Sequence, residues 1–238
     1  EIARGPSSSL YGTNAFFGVV NVITKTGQDQ NGVEVSAEKW SYGTFKNTVN
    51  AGVRMTNGLD VAFSGSVYDS KGQSLYFEEF DDPATHFGIA DDCDYEQAQK
   101  FIAQLSYRHF SIQGSFGSRK KGIPTGAYGT IFGDSRSNTL DRLGFLSVSY
   151  SRELNTSTRL SANLHYDQYS YDGTYVYGTL SRDGSAGDTV ENDHGRGKRW
   201  GAEVKVDRTL FGNHKVSVGA EFRDTFKMEQ RTFIDQVG

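Results

Sequence analysis

The sequence has 238 residues, a formal net charge of −4 and 36% hydrophobic residues. This slightly acidic balance argues against a nucleic-acid-binding protein, and no apolar run approaches the length of about eighteen residues that a transmembrane helix needs. The 28 glycines, 3 prolines and 13% aromatic residues suit many strands joined by turns. Cys93 is the single cysteine, so an internal disulfide is excluded. Low hydropathy still permits transmembrane strands, because these are apolar on one face only.

The first segment with a clear pattern spans residues 4–27. Its first part, 4–18, is rich in Gly and Ser, which predicts an irregular, turning backbone. The run Phe-Gly-Val-Val-Asn-Val-Ile-Thr at 17–24 predicts a short buried strand, because β-branched residues dominate it. Residues 1–3 are expected to end an earlier strand. We interpret the chain as an internal fragment, since it has neither an initiator Met nor a signal peptide.

This segment resembles the end of the plug domain of TonB-dependent outer-membrane receptors. In that family, Arg-Gly-Pro-x-Ser-x-Leu-Tyr-Gly is followed by Gly-Val-(Val/Ile)-Asn-(Val/Ile)-Ile-Thr-Lys just before the barrel begins. The resemblance implies that residues 1–27 end a plug domain and that residues 28–238 begin an outer-membrane β-barrel. The matching positions are Arg4, Gly5, Pro6, Ser8, Leu10, Tyr11, Gly12, Gly18, Val19, Val20, Asn21, Val22, Ile23, Thr24 and Lys25.

Beyond Gly32, apolar side chains recur at every second position over segments of about ten residues, the length of a tilted bilayer-spanning strand. In 139–153 the pattern is irregular, because Leu146 and Val148 fall on its polar side, and its faces stay unassigned. The regular segments are 59–68, 100–107, 110–117, 159–166, 200–207 and 215–222.

These patterns predict an all-β fold: a partial transmembrane antiparallel β-barrel of about nine meander strands out of about 22, preceded by the end of the plug. Short turns and long polar connections alternate, so all long connections lie at one rim, as in outer-membrane barrels. The predicted strands are 32–40, 45–54, 59–70, 98–108, 110–119, 139–153, 157–171, 195–209 and 214–228. The predicted short turns lie near 55–58, 108–109, 154–156 and 211–213, and the long connections at 71–97, 120–138 and 173–194.

The resemblance implies structural or gating roles for part of the plug segment. Arg4 is expected to face the barrel wall and pair with carboxylates there; an ordinary surface arginine is the alternative. Asn21 is expected to satisfy buried backbone groups rather than to contact ligand. The glycines are expected to allow tight turns or close backbone approach. The residues concerned are Arg4, Gly5, Pro6, Tyr11, Gly12, Gly18 and Asn21.

Two features of the predicted outer loops suggest binding. Tyr171, Tyr175 and Tyr177, with Arg182, are candidates for extracellular ligand contact, because Tyr and Arg are common binding anchors; an interfacial aromatic belt is the alternative. The segment 78–96 carries eight carboxylates but lacks the spacing of an EF-hand loop. A solvated loop is therefore the preferred interpretation, and no metal site or cofactor is predicted.

Catalytic signatures are missing from the sequence, including the Gly-x-Ser-x-Gly, His-Glu-x-x-His and phosphate-binding motifs. His165 and Asp167 point the same way on one predicted strand, and the polarity of a barrel lumen explains them without catalysis. The chain is therefore not predicted to be an enzyme.

The resemblance implies TonB-dependent active transport of a scarce ligand across the bacterial outer membrane. Iron–siderophore is the commonest cargo class, with haem, cobalamin and oligosaccharide as alternatives. Expected partners are the TonB energy-coupling protein, through a segment outside this chain, outer-membrane lipid and lipopolysaccharide, and a small-molecule ligand such as a metal chelate. Two other functions stay open: a passive porin- or adhesin-type barrel and a barrel-rim hydrolase.

Overall fold

The computed structural model describes residues 2–4, 17–180, 186–212 and 214–237. Within them the chain is all-β, and nine strands form one antiparallel sheet in which chain neighbours are sheet neighbours. The nine strands are β3 (Gly32–Trp40), β4 (Thr44–Arg54), β5 (Asp60–Ser70), β8 (Glu96–Tyr107), β9 (Phe110–Gly122), β10 (Asn138–Asn155), β11 (Thr158–Leu180), β12 (Ala186–Leu210) and β13 (His214–Val237). The other elements are β1 (Ile2–Arg4), β2 (Gly18–Val20), the one-turn helix α1 (Gly27–Gln30), β6 (Leu75–Tyr76), β7 (Ile89–Ala90) and three short 3₁₀ helices (Glu78–Phe80, Pro83–Gly88 and Ala127–Gly129).

The nine predicted strands are confirmed in order and in antiparallel pairing. The prediction of a long loop at 173–194 is wrong, because β11 and β12 stay paired from Gly173–Asp193 to Leu180–Ala186. Thr, Val and Tyr favour strand in this segment. Both of its faces carry polar side chains, however, so the sequence shows no period-two contrast there.

Two kinds of connection distinguish the ends of the sheet. At the short-turn end, Gly58 has a φ of +87° and the Leu59 N–H donates to Asn57 Oδ1 at 3.0 Å, which confirms the predicted Asn-Gly turn. At the long-loop end, β5 and β8 are joined through 71–95, and β9 and β10 through 123–137. The two long connections predicted here are confirmed.

The sheet has one apolar and one polar face. The apolar face carries large exposed side chains, including Phe110 (54% exposed), Leu164 (52%) and Val218 (68%). Leu146 also belongs to this face. It pairs with Gly114 and with Tyr166, which alternate onto the apolar face, and residues paired across neighbouring strands lie on the same face. By the same alternation, Leu143 and Phe145 lie on the polar face, which explains the irregular pattern of this strand.

The strands are staggered along the sheet. A continuous row of paired residues starts at Gly32, the first residue of β3, and ends at Arg223 of β13, nine positions after the first residue of that strand, His214. The row passes through Gly52, Ala62, Gln104, Gln113, Ser147, His165 and Gly201. In the described part of the chain, β3 and β13 each pair on one side only, so the sheet is open. None of the described helices is long and apolar enough to cross a membrane.

The predicted buried strand at 17–24 is wrong in length and in burial. Only Gly18–Val20 is strand, paired with Ile2–Arg4, while Val20, Val22 and Ile23 are 70%, 78% and 71% exposed. The reason is that β2 pairs with a single three-residue strand, and no described element packs over these side chains. The expected strand at the start of the chain is present as β1.

The long connections fold together into what we call the loop cap, residues 75–95 and 123–137. Phe80 stacks on Phe132 with ring centroids 4.2 Å apart. Ala90, Cys93 and Val176, which contacts the cap, are completely buried. The acidic side chains of 78–82 stay exposed, as predicted, but the segment around them is folded, because Phe80 packs on Phe132 and the Ile131 N–H donates to the Val176 carbonyl of β11.

Candidate functional site

Residues 24–30 lie against the polar face of the sheet near its short-turn end. Thr24 Oγ1 donates to Gln104 Oε1 at 2.8 Å. Thr26 then caps α1: its N–H donates to Asp29 Oδ2 at 2.9 Å, and the Asp29 N–H donates to Thr26 Oγ1 at 3.2 Å. The hydrogen bond from the Thr26 backbone lowers the pKa of Asp29.

Asp60 fixes the start of α1 to the sheet. Its Oδ1 accepts the Gly27 N–H at 2.6 Å, its Oδ2 accepts the Gln28 N–H at 3.0 Å, and the residue is 8% exposed. Arg54 adds a hydrogen bond from Nη1 to Gln28 Oε1 at 2.5 Å. We call Asp60 with the Gly27 and Gln28 amides the Asp60 anchor. Hydrogen bonds from amides to a shielded carboxylate are strong, so this contact determines where the segment meets the sheet.

Two glycines permit this close approach. A Cβ at Gly27 would overlap the carbonyl oxygens of Val61 and Val53, the latter at 2.5 Å. A Cβ at Gly52 of β4 would lie 2.6 Å from Gln30 Cβ. The Asp60 anchor was not predicted from the sequence. The signals that point to it are Asp60 at the first position of a strand and glycines on both sides of the contact.

The residues of the predicted plug motif are only partly described. Arg4 and Gly18 pair through their backbones in the β1–β2 hairpin. Asn21 follows β2 and is exposed. Gly5, Pro6, Tyr11 and Gly12 lie outside the described residues.

The predicted tyrosine contacts lie together on the polar face of β11. Tyr171 and Tyr175 share a hydrogen bond between their hydroxyls, and Tyr175 is 8% exposed. Tyr128 of the loop cap packs edge-on against Tyr175 at 5.8 Å and is itself 82% exposed. Tyr177 is on the same side of β11 by alternation, and Arg182 lies outside the described residues. Tyr128 was missed, because nothing in the sequence shows that its loop reaches β11.

A groove of about 750 Å³ crosses the polar face towards the long-loop end. Leu143, Phe145 and Tyr169 supply apolar surface within it, beside Gly197. Polar residues also line it, including Ser64, Ser66, Lys100, Ser115, Asp167 and Arg199. Its volume is in the range of ligand sites, which are about 300–1,000 Å³. Apolar residues on an otherwise polar face were the available sequence signal.

Hydrogen bonds and ion pairs hold the polar side chains at this groove. Tyr169 Oη donates to Asp141 Oδ1 at 2.9 Å. Arg199 Nε donates to Asp167 Oδ2 at 3.0 Å, whereas His165 Nε2 lies 3.8 Å from the same carboxylate. The carboxylate of Asp167 is therefore positioned by Arg199 more closely than by His165.

Charged and buried groups also shape the loop cap. Hydrogen bonds from Arg136 lower the pKa of Asp134, and Arg136 also pairs with Asp188 of β12 at 2.5 Å. Burial raises the pKa of the Cys93 thiol. Among the described residues, no group of three His, Cys, Asp or Glu side chains is arranged to hold a metal ion.

We expect Cys93 to react slowly with maleimides at neutral pH, about a hundredfold more slowly than in the urea-unfolded chain. The thiol is fully buried and its pKa is raised, so both access and thiolate fraction are low, and the rate should increase with pH. Alkylation followed by mass spectrometry measures this. In C93S/Y128C, the new thiol replaces an exposed side chain and should react quickly; equal rates at the two sites would contradict the burial of Cys93.

Comparisons with known proteins do not extend this description: no protein-family model matches the sequence, and no solved structure matches the fold.

Proposed function

We propose that the chain is the end of the plug domain and the first nine barrel strands of a TonB-dependent outer-membrane receptor. The receptor takes up a scarce ligand from outside the cell and moves it across the outer membrane. Its direct partners are TonB, through a segment outside these 238 residues, outer-membrane lipid and lipopolysaccharide, and the ligand itself. The proposal requires binding and conformational change but no covalent chemistry.

The surface of the sheet supports a membrane location. Soluble proteins rarely expose contiguous apolar patches above a few hundred Å². Here the apolar face presents exposed Phe, Leu, Ile and Val on successive strands, starting at the short-turn end. Towards the long-loop end the same face becomes polar, with Gln97, Lys120, Arg142 and Arg196. An apolar band below a polar fringe is the surface of a transmembrane barrel strand.

The single observation that carries the proposal is the Asp60 anchor. Thr24, near the end of the segment that resembles a plug terminus, and the Gly27–Gln28 turn directly after that segment lie against the polar face, which in a barrel is the lumen. Gly27 and Gln28 bind Asp60, and Thr24 binds Gln104, all on that face. A passive barrel without a plug would not require such a contact.

The anchor also suggests how force acts on the plug. Two amide–carboxylate hydrogen bonds and the Gly27–Gly52 contact hold residues 24–30, so a pull on the preceding chain would be resisted at Thr24. Rearrangement would therefore occur upstream of the anchor, where TonB-supplied work shifts the plug from a closed to an open state.

The test uses the intact gene product in a Gram-negative host. We expect it in the outer-membrane fraction, and we expect the purified protein in detergent to bind the periplasmic domain of TonB. A passive porin or adhesin would share the fractionation but not TonB binding. Recovery in the soluble fraction, or an outer-membrane protein with no TonB binding, would contradict the proposal.

A further inference from the structure

We propose that the apolar face carries a binding site for a lipid headgroup with two phosphates, directly beyond its apolar band towards the long-loop end. This inference rests on the proposed function, which places that face against the membrane, and it names the headgroup chemistry and the residues of the lipid contact. Two pairs of basic side chains form the site, which we call the basic patch: Lys120 with Arg142, and Arg196 with Lys198.

The register of the sheet brings the two arginines to one face. Arg142 of β10 and Arg196 of β12 both pair with Ser170 of β11, from opposite sides. Ser170 is four residues from Tyr166 on the same strand, so it alternates onto the apolar face. Residues paired across neighbouring strands lie on the same face, and both arginines therefore project from the apolar face.

The two lysines extend the patch on either side. Lys198 stands at an alternate position of β12 between Arg196 and Trp200, which belongs to the apolar band. Lys120 of β9 pairs with the residue of β10 that lies two positions before Arg142. Diagonal neighbours of this kind lie about 7–8 Å apart, within reach of long side chains. Each arginine thus has a lysine beside it on the same face.

Asp172 of β11 holds the two arginines side by side. Its Oδ2 accepts a hydrogen bond from Arg142 Nη1 at 2.8 Å, and its Oδ1 accepts one from Arg196 Nη2 at 2.6 Å. His194 Nδ1 lies 2.5 Å from the same Oδ1. The arginine side chains are still 41% and 33% exposed. A guanidinium has five N–H donors, so each arginine keeps donors for a phosphate while Asp172 positions it.

Positive charge exceeds negative charge around the patch. The two arginines share one carboxylate, and among the described residues neither Lys120 nor Lys198 forms an ion pair. On β13, beside Lys198, Glu229 is likewise shared by two cations, Lys227 at 3.0 Å and Arg231. The whole chain has a net charge of −4, so this excess is local. Basic clusters at a membrane surface attract anionic lipid headgroups.

The spacing of the two basic pairs fits two phosphates. Lys120 and Arg142 lie on β9 and β10, whereas Arg196 and Lys198 lie on β12. With about 4.8 Å between neighbouring strands, the pairs are about 10–14 Å apart. A single phosphate is too small to contact both pairs, whereas two phosphates at opposite ends of a disaccharide can do so. Arginine binds phosphate through its forked donors and lysine as a point charge.

The surroundings of the patch favour a lipid over an acidic protein. A shallow recess of about 480 Å³ lies beside the patch, and Phe45 and Val67 line it together with Lys120 and Arg142. Asp69, the carboxylate in this recess, is on β5, two strands from Lys120. A lipid covers both kinds of surface at once, because its acyl chains lie along the apolar band while its phosphates reach the cations beyond it.

The test is native mass spectrometry of the intact protein, purified from outer membranes in detergent and titrated with defined lipids. The probes are diphosphoryl lipid A, monophosphoryl lipid A with the same acyl chains, and phosphatidylethanolamine. EDTA is present throughout, so that divalent cations cannot bridge phosphates to carboxylates. We expect diphosphoryl lipid A to bind about fivefold more tightly than the monophosphoryl form, and phosphatidylethanolamine to bind more weakly than both.

Two variants remove cations without breaking an ion pair. Lys120→Gln and Lys198→Gln should each weaken binding of diphosphoryl lipid A about fivefold, and the double variant about 25-fold. The preference for the diphosphoryl over the monophosphoryl form should also decrease in each variant. Lys100→Gln is the matched control, because Lys100 lies in the groove of the polar face, and it should leave lipid affinity unchanged.

TonB binding, measured in parallel, should be retained by every variant. If TonB binding is retained, three results would each overturn the basic patch alone: equal affinity for diphosphoryl lipid A and phosphatidylethanolamine, unchanged affinity in the double variant, or binding of a deca-glutamate peptide in place of the lipid. Absence of TonB binding by the wild-type protein overturns the proposed function instead.

Discussion

Replacing Gly27 with alanine is expected to detach residues 24–30 from the sheet. The added Cβ would overlap two backbone carbonyl oxygens, those of Val53 and Val61, which cannot rotate away as a side chain can. We expect a cost of about 3 kcal/mol or more for this contact, at the upper end of overpacking effects. Hydrogen exchange of the Gly27 and Gln28 amides in the intact protein measures the effect. Both amides should exchange much faster in the variant.

Two further variants separate the effect of the steric overlap from the effect of losing the hydrogen bonds to Asp60. Gln28→Ala keeps the backbone and should leave exchange of the Gly27 amide close to wild type. Asp60→Ala removes the acceptor of both amides and leaves the buried Gly27 amide without a partner, at a cost of about 1–3 kcal/mol for that group. Asp69→Ala, on the same strand but exposed, is its control. Unchanged amide protection in Gly27→Ala would contradict the Asp60 anchor.

Replacing Val176 with aspartate is expected to unfold the loop cap while leaving the sheet intact. Val176 is completely buried, its carbonyl accepts the Ile131 N–H at 2.8 Å, and its N–H donates to Ser137 Oγ at 3.3 Å. A carboxylate there has no cationic partner among the described contacts, so we expect a cost of about 3 kcal/mol or more.

The readout of this variant is local. Segment 123–137 is tied to Val176 and, through the hydrogen bond from Tyr95 Oη to the Ser135 carbonyl at 3.2 Å, to the residues around Cys93. Val176→Asp should therefore accelerate both proteolysis of the cap and alkylation of Cys93. Val176→Ala should have a smaller effect, and Tyr128→Asp, at an exposed site, almost none. Slow Cys93 alkylation in Val176→Asp would show that the cap does not depend on Val176.

The strands were predictable because each crosses from short turn to long loop with one apolar and one polar face. That contrast ends near the long-loop end, where both faces are polar, and there the sequence pattern fails. The paired extension of β11 and β12 beyond Gly173 was missed for this reason. The loop cap was missed because Phe80 and Phe132 are far apart in the sequence, and no periodicity indicates that two loops pack together.

The site was less predictable than the fold. The tyrosines of β11 were identified individually, but their contact with Tyr128 depends on loop packing. The groove requires the register of seven strands, β5 and β8 to β13, which places Tyr169 across from Gly197. Leu143 and Phe145 were visible only as an irregularity in a strand pattern. Alternation reports which face a residue occupies, whereas a site depends on the register between neighbouring strands.

The stagger of the strands has a geometric consequence. The paired row from Gly32 to Arg223 climbs nine residues over eight steps between strands. Each residue adds about 3.3 Å along a strand, and neighbouring strands lie about 4.8 Å apart. If the short turns lie in one plane, this stagger inclines the strands by about 40° to the normal of that plane. Strands of outer-membrane barrels are tilted by about 35–45°, which supports the proposed barrel. Continued around about 22 strands, the same stagger gives a shear of about 25 residues. The last strand of the barrel must therefore pair with β3 at the residue offset that this shear sets.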